Sequence, residues 1–581
     1  MLNECISIFE KYAGYDADKM VLDNYSPAEG FYLILEEVLE GFEEKEYFEI
    51  KQDKKTKNIN LSDAKLRTIS ELDYYCKLID MNKPVDSKKI IQSNNYLSFW
   101  IKKESLINGK LTEEIIDSYY EILSDPYKKY SKNKQDKELY ELTEKEVGLV
   151  NQEKLEKIKR WIKENIFQLP YELTGKDYLK IFFLCDGVSV KNEGKRYLLP
   201  NLFNKNDYNI KLNGSIYGLP NENMGLNSKK PYLENKNRKY TVPALISTEE
   251  NILRKKFFDY LWGQASKGYY NIYFDSDKNE VIPLGAKDSP NDNLSGYYLR
   301  IRKDKNEAAI VDMDCISAYR PKLRKVFLFD NVLDIETDKL EGHKYGNNYN
   351  LADIRDIINE EIFSKFLLSN LYSEPREISC NNDEILRENI LLARSALFDW
   401  FYKGCDIGIV QLMEEVSLNL IKNSISNGYM EKVQHQFNAY ISIIDYLKGG
   451  NGKMADAMVE IRDSIREKIN QKEEYVSFQT DEEYYYATGQ LIRYFISLNK
   501  STKKVHSLFN PFLTIKKDEM LKEKLEGLFK KYNYTIETSS MRFNNIYSMV
   551  THYVPEKDTD NHNYLIAGYI SKNLIYEKKE D

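Results

Sequence analysis

The stretch that decides the fold class is FYLILEEV, residues 31–38, which is rich in aromatic and branched apolar side chains. Such a run is typical of a β-strand. The same character recurs in EYFEI (46–50), KIFFLC (180–185), YNIYFD (270–275), GYYLRIRK (296–303) and AAIVDMD (308–314). Helical patterns lie among these runs at 113–124 and 151–166. The first part of the chain is therefore predicted to mix helices with antiparallel strands.

The periodicity changes in the C-terminal part, where apolar residues recur at helical spacing and strand-like runs nearly vanish. Thr480 and Glu483 predict a capping box at the start of a helix over 480–498. Further helices are predicted over 384–402, 517–532 and 542–554. The sequence thus predicts an α+β chain, with a mixed α/β body at 1–345 followed by an all-helical bundle at 346–581.

The composition excludes several classes of protein. The 581 residues have a formal net charge of -8, which argues against an overall basic protein but allows a local basic surface. No run of about 18 apolar residues exists, so no membrane span is predicted. The first residues, MLNECISIFEKY, do not resemble a secretion signal. Six scattered cysteines without a CxxC pair argue against disulfides and favour a cytoplasmic location.

A long polar insert at 217–243, YGLPNENMGLNSKKPYLENKNRKYTVP, is the strongest functional signal in the sequence. Its lysines and arginine suit phosphates, its asparagines suit base edges, and its tyrosines suit stacking on a splayed base. A second polar turn lies within KKIIQSNNYLSFWIKK at 88–103. Phe99 and Trp100 offer either stacking or core surface there, and a capping turn over a buried core explains this segment equally well.

Catalytic signals are weak. The sequence GGNGK at 449–453 resembles a phosphate loop, but it follows a helical pattern, and Met454 stands where Ser or Thr would bind magnesium. A loose polar cluster near the C-terminus consists of His552, Asp558, Asp560 and His562. It spans a proline and a loop and lacks the spacing of a metal site. The chain is predicted not to be an enzyme, with no cofactor and no metal; a cryptic nuclease or nucleotide-dependent enzyme is the alternative.

Several segments together resemble the large subunit of a type I-B CRISPR interference complex (Cascade). They are LDNYSPAEGFYLIL (22–35), IIQSNNYLSFWIKKESL (90–106), RYLLPNLFNKNDYNI (196–210), YGLPNENMGLNSKKPYLENK (217–236), ATGQLIRYFISLNKSTKKVHSLFNPFL (487–513) and YLIAGYISKNLIY (564–576). The similarity covers essentially the whole chain.

This resemblance implies a non-catalytic subunit in antiviral defence. Its partners would be the guide RNA through the 5′ handle, double-stranded target DNA, the backbone and small subunits, and a helicase-nuclease. It would recognise the short motif flanking the DNA target (PAM), aid R-loop formation and recruit the helicase-nuclease. Protein would read the flanking motif while base pairing reads the rest.

On this basis, specific residues are predicted to bind nucleic acid. Contact with the flanking motif or the minor groove is assigned to Asn223, Asn227, Lys229 and Lys230. Phosphate contact is assigned to Asn235, Lys236 and Arg238. Contact with the RNA handle is assigned to Ser93, Asn94 and Asn95. Some members of this family carry cysteine-based zinc modules, but no cysteine lies between Cys185 and Cys315, so a metal held by cysteines cannot order the polar insert.

The reading frame can also encode a second product. Complexes of this type need a small helical subunit, which related systems can make by internal initiation. Lys448, Gly449 and Gly450 can be encoded by a ribosome-binding sequence, and Met454 follows closely. A helical product over 454–581 is one hypothesis; a glycine turn followed by an accidental methionine is the alternative.

Overall fold

A computed structural model describes most of the chain. The described residues are 1–14, 16–53, 59–77, 85–203, 206–220, 245–303, 308–450, 453–472, 476–500, 506–537, 539–556 and 562–577.

The described strands are numbered in chain order. They are β1 (Gly30–Val38), β2 (Gly41–Ile50), β3 (Ser98–Lys102), β4 (Tyr178–Leu184), β5 (Ile210–Leu212), β6 (Ser215–Gly218), β7 (Ile246–Ser247), β8 (Tyr269–Asp275), β9 (Glu280–Gly285), β10 (Leu294–Lys303), β11 (Ala308–Tyr319), β12 (Lys322–Phe329) and β13 (Gly346–Asn350).

The described α-helices of the first half are α1 (Leu2–Ala13), α2 (Ala17–Asp23), α3 (Asp63–Cys76), α4 (Lys103–Ile107), α5 (Glu113–Ser124), α6 (Tyr127–Tyr130), α7 (Lys134–Val147), α8 (Gln152–Asn165), α9 (Val190–Leu198) and α10 (Thr248–Ser266). Those of the second half are α11 (Leu351–Ile357), α12 (Leu367–Asn370), α13 (Glu384–Phe398), α14 (Ile409–Ser426), α15 (Met430–Leu447), α16 (Lys453–Ile469), α17 (Asp481–Ser497), α18 (Asp518–Tyr532), α19 (Met541–His552) and α20 (His562–Ile570). Two π-helical turns occupy Ile358–Ile362 and Asp399–Lys403.

The first sheet has the strand order β2-β1-β4-β3. The central pair, β1 and β4, is parallel, and the two outer pairs are antiparallel. Side chains alternate between the faces of a strand, so Phe31 and Leu33 lie in one hydrophobic cluster while Tyr32 and Ile34 lie in another. A strand covered on both faces needs a nearly continuous apolar run, which is the pattern of residues 31–35.

The second sheet has the order β11-β10-β8-β9. Helices α1 and α10 cover it with aromatic side chains. The rings of Phe9 and Phe257 meet edge to face at 5.5 Å, and Phe257 also lies 5.9 Å from Phe274 on β8. A third, smaller sheet pairs β5, β6 and β7 next to α10.

The chain divides into two compact units. The first comprises residues 1–288 and 294–317, and the second comprises 289–293 and 318–581. The second unit therefore begins before residue 346 and includes β12 and β13. These strands belong with the helices because Phe327 of β12 contacts Tyr446 of α15, with ring centroids 5.5 Å apart.

The helical unit brings α17 and α20 into close contact through glycines. A Cβ at Gly489 would lie 2.2 Å from the Leu565 carbonyl oxygen, and one at Gly568 would lie 2.0 Å from the Tyr486 carbonyl oxygen. Both positions therefore require glycine for steric reasons. Without a side chain at either position, the two backbones can approach each other directly.

The structure confirms the α+β fold class. All six predicted strands are present, and the predicted helices end within about a turn of the observed ones, except that 384–402 ends in the π-helical turn. The capping box predicted at Thr480 and Glu483 forms only in part. Thr480 accepts from the Glu483 amide, as predicted, but the Glu483 carboxylate accepts from the Gln479 amide instead of the Thr480 amide. Among the described residues, no helix is long and apolar enough to cross a membrane.

Candidate nucleic-acid interface

Seven of the ten predicted contact residues lie outside the described part of the chain. They are Asn223, Asn227, Lys229, Lys230, Asn235, Lys236 and Arg238, within 221–244. Their assignments to the flanking motif and to phosphates remain predictions.

Ser93 and Asn95 are fully buried, so their predicted contact with the RNA handle needs correction. The Ser93 hydroxyl donates to the Ser98 carbonyl at 3.0 Å and lies 2.8 Å from the Tyr119 hydroxyl. Asn95 donates to the Val190 carbonyl and accepts from the Leu97 amide. These bonds satisfy the polar groups of a buried turn that leads into β3. Both residues therefore stabilise the fold and present no surface to RNA.

Asn94 behaves differently from its two neighbours. Its side chain is only 4% exposed, and its Oδ1 accepts no hydrogen bond from any described residue. It lines a cavity of about 230 Å³ in the first unit. A buried amide oxygen without a partner is costly, and Oδ1 itself is shielded from solvent.

Helices α2, α3, α7, α9 and α10 surround this cavity, which we call the lysine cavity. Its lining carries five lysines and two carboxylates. The lysines are Lys77, Lys191, Lys195, Lys255 and Lys256, and the carboxylates are Asp18 and Glu146. Four of these lysines form ion pairs, with Asp18, Glu146 and Asp259 as their partners. Five lysines against these three carboxylates leave a smaller excess of positive charge, which favours an anionic ligand.

Two of the lysines share one carboxylate. Asp18 lies 2.5 Å from Lys191 Nζ and 2.8 Å from Lys256 Nζ. Burial tends to raise the pKa of Asp18, but the two lysines outweigh it and hold that pKa below its usual value. Sharing one negative charge between two ammonium groups leaves their combined charge incompletely neutralised.

Lys77 lies against an aromatic ring rather than in an ion pair with a described residue. Its ammonium group lies 5.6 Å from the centre of the Tyr25 ring. Burial lowers the pKa of Lys77, and the neighbouring Lys255 lowers it further, while attraction to Asp259 opposes both effects. An anion in the cavity would stabilise the charged form of this side chain.

Aromatic rings complete the lining. Tyr74 and Tyr75 are adjacent, with ring centroids 5.4 Å apart, and Lys191 Nζ lies 5.5 Å from the centre of the Tyr75 ring. The Tyr74 hydroxyl donates to Asp259 at 2.8 Å, which fixes its ring. Lys255 Nζ likewise lies 5.3 Å from the centre of the Tyr74 ring. Each ring therefore carries an ammonium group of the kind that contacts phosphate.

Gly194 sets the width of the lysine cavity. A Cβ at this position would lie 2.3 Å from the Tyr75 carbonyl oxygen, so only glycine lets α9 approach α3 this closely. This contact brings Lys191 and Lys195 next to the end of α3. The volume of about 230 Å³ is smaller than the roughly 300–1,000 Å³ of typical small-molecule pockets, and it suits one nucleotide unit rather than a duplex.

Sequence reasoning missed this cavity because its lysines come from distant segments. Lys77, Lys191 and Lys255 each stand in an ordinary helical or charged stretch. Only the packing of α3, α9 and α10 unites them. A second, more open cavity beside α1 and α2 carries Asp16 and Asp23 with a single lysine, so it is less suited to an anion.

Comparison of the chain with protein-family models, with curated proteins and with solved structures finds no match.

Proposed function

We propose that the chain is the non-catalytic large subunit of a type I-B CRISPR RNA-guided surveillance complex. The proposal rests on the similarity of sequence segments spread along the chain. The observation that carries it is the lysine cavity, which brings five lysines together in the first unit. Their positive charge suits the phosphate groups of a nucleic acid.

In this proposal, different parts of the chain contact different partners. The insert at 217–243 reads the flanking motif on double-stranded DNA, and the lysine cavity holds one nucleotide of a single strand. The chain binds the guide RNA at its 5′ handle and assembles with the backbone and small subunits in the cytoplasm. It assists R-loop formation and recruits the helicase-nuclease.

The first experiment tests the lysine cavity. Binding of the purified full chain to labelled single-stranded RNA and DNA is measured over a range of salt concentrations. We expect Lys77→Ala with Lys255→Ala to weaken binding at least tenfold. We also expect the slope of log K against log salt to fall by about 0.7 for each phosphate that the variant no longer neutralises.

The matched control is Lys45→Ala with Lys128→Ala, which removes two lysines from exposed surface ion pairs of the same unit. Equal affinities for the cavity variant and the control would contradict the proposed interface. Circular dichroism spectra verify that both variants fold.

The second experiment tests the large-subunit role in the reconstituted complex. Replacing Lys229 and Lys230 by alanine should reduce binding only to correctly flanked targets if the insert reads the motif. A uniform loss with a smaller salt slope would assign these lysines to phosphates alone. Cleavage of target DNA by the chain without the helicase-nuclease would contradict a non-catalytic subunit.

A further inference from the structure

Three potential metal ligands lie close together in the second unit. They are His343, Glu361 and His435, and each offers a donor atom within 4.8 Å of the other two. Two of the five histidines of the chain therefore lie in this one cluster. Their imidazole rings are nearly parallel, with centroids 3.9 Å apart and an angle of 7° between the planes.

Each ligand comes from a different element. His343 lies in the segment before β13, Glu361 lies in the π-helical turn Ile358–Ile362, and His435 lies on α15. π-Helical turns are rare and are frequently found at functional sites. Glu361 and His435 are 6% and 5% exposed, whereas the His343 side chain is 31% exposed and gives the cluster access to solvent.

The cluster is supported by a second layer of hydrogen bonds. His435 Nδ1 lies 2.9 Å from the Tyr345 hydroxyl, and Asn438 donates to the same hydroxyl at 3.0 Å. The Tyr345 ring stacks on Phe329 with centroids 3.9 Å apart. A metal-bound histidine characteristically uses its second ring nitrogen in such a bond, which fixes the ring orientation and leaves Nε2 for the metal.

The carboxylate of the cluster already contacts one of the two imidazoles. His343 Nδ1 lies 2.7 Å from Oε1 of Glu361. A divalent cation would take the place of this hydrogen bond between the two side chains.

We propose that His343, Glu361 and His435 bind a divalent transition metal, with zinc the best match to two imidazoles and one carboxylate. Tetrahedral zinc holds its donor atoms about 3.3 Å apart. To bind the ion, His343 Nδ1 and Glu361 Oε1 would move apart from 2.7 Å, and the two stacked imidazoles would tilt so that their nitrogen lone pairs converge. Water completes the coordination. The ion fastens the segment that carries His343 to α15 and to the π-helical turn, which is a structural role.

The test uses the full chain with Cys315→Ser and Cys405→Ser, because these exposed thiols would otherwise bind added metal. After treatment with a chelator, the protein is titrated with Zn²⁺ by calorimetry and with Co²⁺ by visible absorption. We expect one ion per chain, a rise in the thermal midpoint with Zn²⁺, and a Co²⁺ spectrum of low coordination number.

Ligand variants establish which residues hold the ion. His343→Ala and Glu361→Gln should each weaken Zn²⁺ binding at least tenfold and abolish the Co²⁺ spectrum. Tyr345→Phe should weaken binding by about tenfold, because it removes the hydrogen bond that orients His435. His552→Ala is the control, since it removes an exposed histidine from α19.

Two outcomes would overturn the proposal. One is that the chelated parent protein binds Zn²⁺ no more tightly than the His343→Ala variant. The other is a Co²⁺ spectrum that persists in His343→Ala and Glu361→Gln but disappears in His552→Ala. Circular dichroism of each variant separates loss of the site from loss of the fold. Tyr345→Phe keeps all three ligands, so the test does not depend on a ligand variant that fails to fold.

Discussion

Each unit buries a lysine–carboxylate pair, and the two pairs differ in the groups that surround them. In the α+β unit, Lys180 of β4 contacts Asp73 of α3, and their side chains are 4% and 1% exposed. In the helical unit, Lys468 of α16 contacts Glu483 of α17. The surroundings of the two pairs lead to different electrostatic outcomes.

Aromatic rings surround the pair of the first unit. Lys180 Nζ bonds to one carboxylate oxygen of Asp73, while the other accepts from the Tyr25 hydroxyl. Trp100 lies beneath the ammonium group, with its ring centre 4.0 Å from Nζ. Burial lowers the pKa of Lys180 more than the attraction of Asp73 raises it. Burial therefore makes the charged form of this lysine less stable than it is in water, despite its partner.

Hydrogen bonds surround the pair of the second unit. Lys468 Nζ lies 2.7 Å from both oxygens of Glu483. Ser464 and the Gln479 amide donate to the same carboxylate at 2.6 and 2.7 Å. Burial alone would raise the pKa of Glu483, but these donors outweigh burial and lower it. Burial thus outweighs the ion-pair partner at Lys180, whereas hydrogen-bond donors outweigh burial at Glu483.

The largest effect is expected for Asp73→Ala in the first unit. The substitution leaves the Lys180 ammonium buried without its carboxylate partner, and we expect a loss of about 3–5 kcal/mol in the free energy of unfolding. Urea denaturation followed by circular dichroism measures it. A loss below about 1 kcal/mol would mean that the rings and water compensate Lys180 without Asp73.

The next effect concerns the close contact between α17 and α20. Gly568→Ala should cost about 1–3 kcal/mol or more, because its Cβ would clash with the Tyr486 carbonyl oxygen. The control is Gly527→Ala within α18, where a Cβ meets nothing within 4 Å. It should stabilise the chain by about 0.5–1 kcal/mol. Equal effects of the two substitutions in thermal denaturation would show that the helices can separate freely.

A smaller effect is expected for the acid dependence of the second pair. The folded-state pKa of Glu483 is lowered, so its contribution to stability is present above about pH 4.5 and is lost as the pH falls through the folded value. The urea midpoint of the parent should therefore decrease more between pH 6 and pH 3 than that of Glu483→Gln. Parallel decreases would contradict the assigned role of the carboxylate.

The smallest effect is expected for an exposed pair. Lys45 and Glu36 lie 2.7 Å apart, with side chains 48% and 55% exposed. Glu36→Ala should change the free energy of unfolding by about 0–1 kcal/mol, since solvent screens the pair. A larger loss in the same urea experiment would remove the contrast between buried and surface pairs.

The fold class and the most apolar elements could be predicted from the sequence, whereas the short strands and the sites could not. The apolar run at 31–38 and the helical spacing at 113–124 are local signals, and the structure contains both elements. The polar turn at Ser93 could either contact RNA or cap a buried core. Ser93 and Asn95 are buried, so the second interpretation holds for both residues. The π-helical turn at Ile358–Ile362 left no recognisable signal, because its sequence reads as an ordinary helix.

The sequence by itself determined the α+β class, six strand-like runs and the absence of a long apolar span, because periodicity and composition are local properties of the chain. Tertiary structure alone decided which distant side chains meet. Lys77, Lys191 and Lys255 line one cavity because Gly194 lets α9 approach α3. His343 and His435, 92 residues apart in the numbering, stack because β13 and α15 belong to one unit. Such contacts depend on packing between elements, which no local pattern encodes.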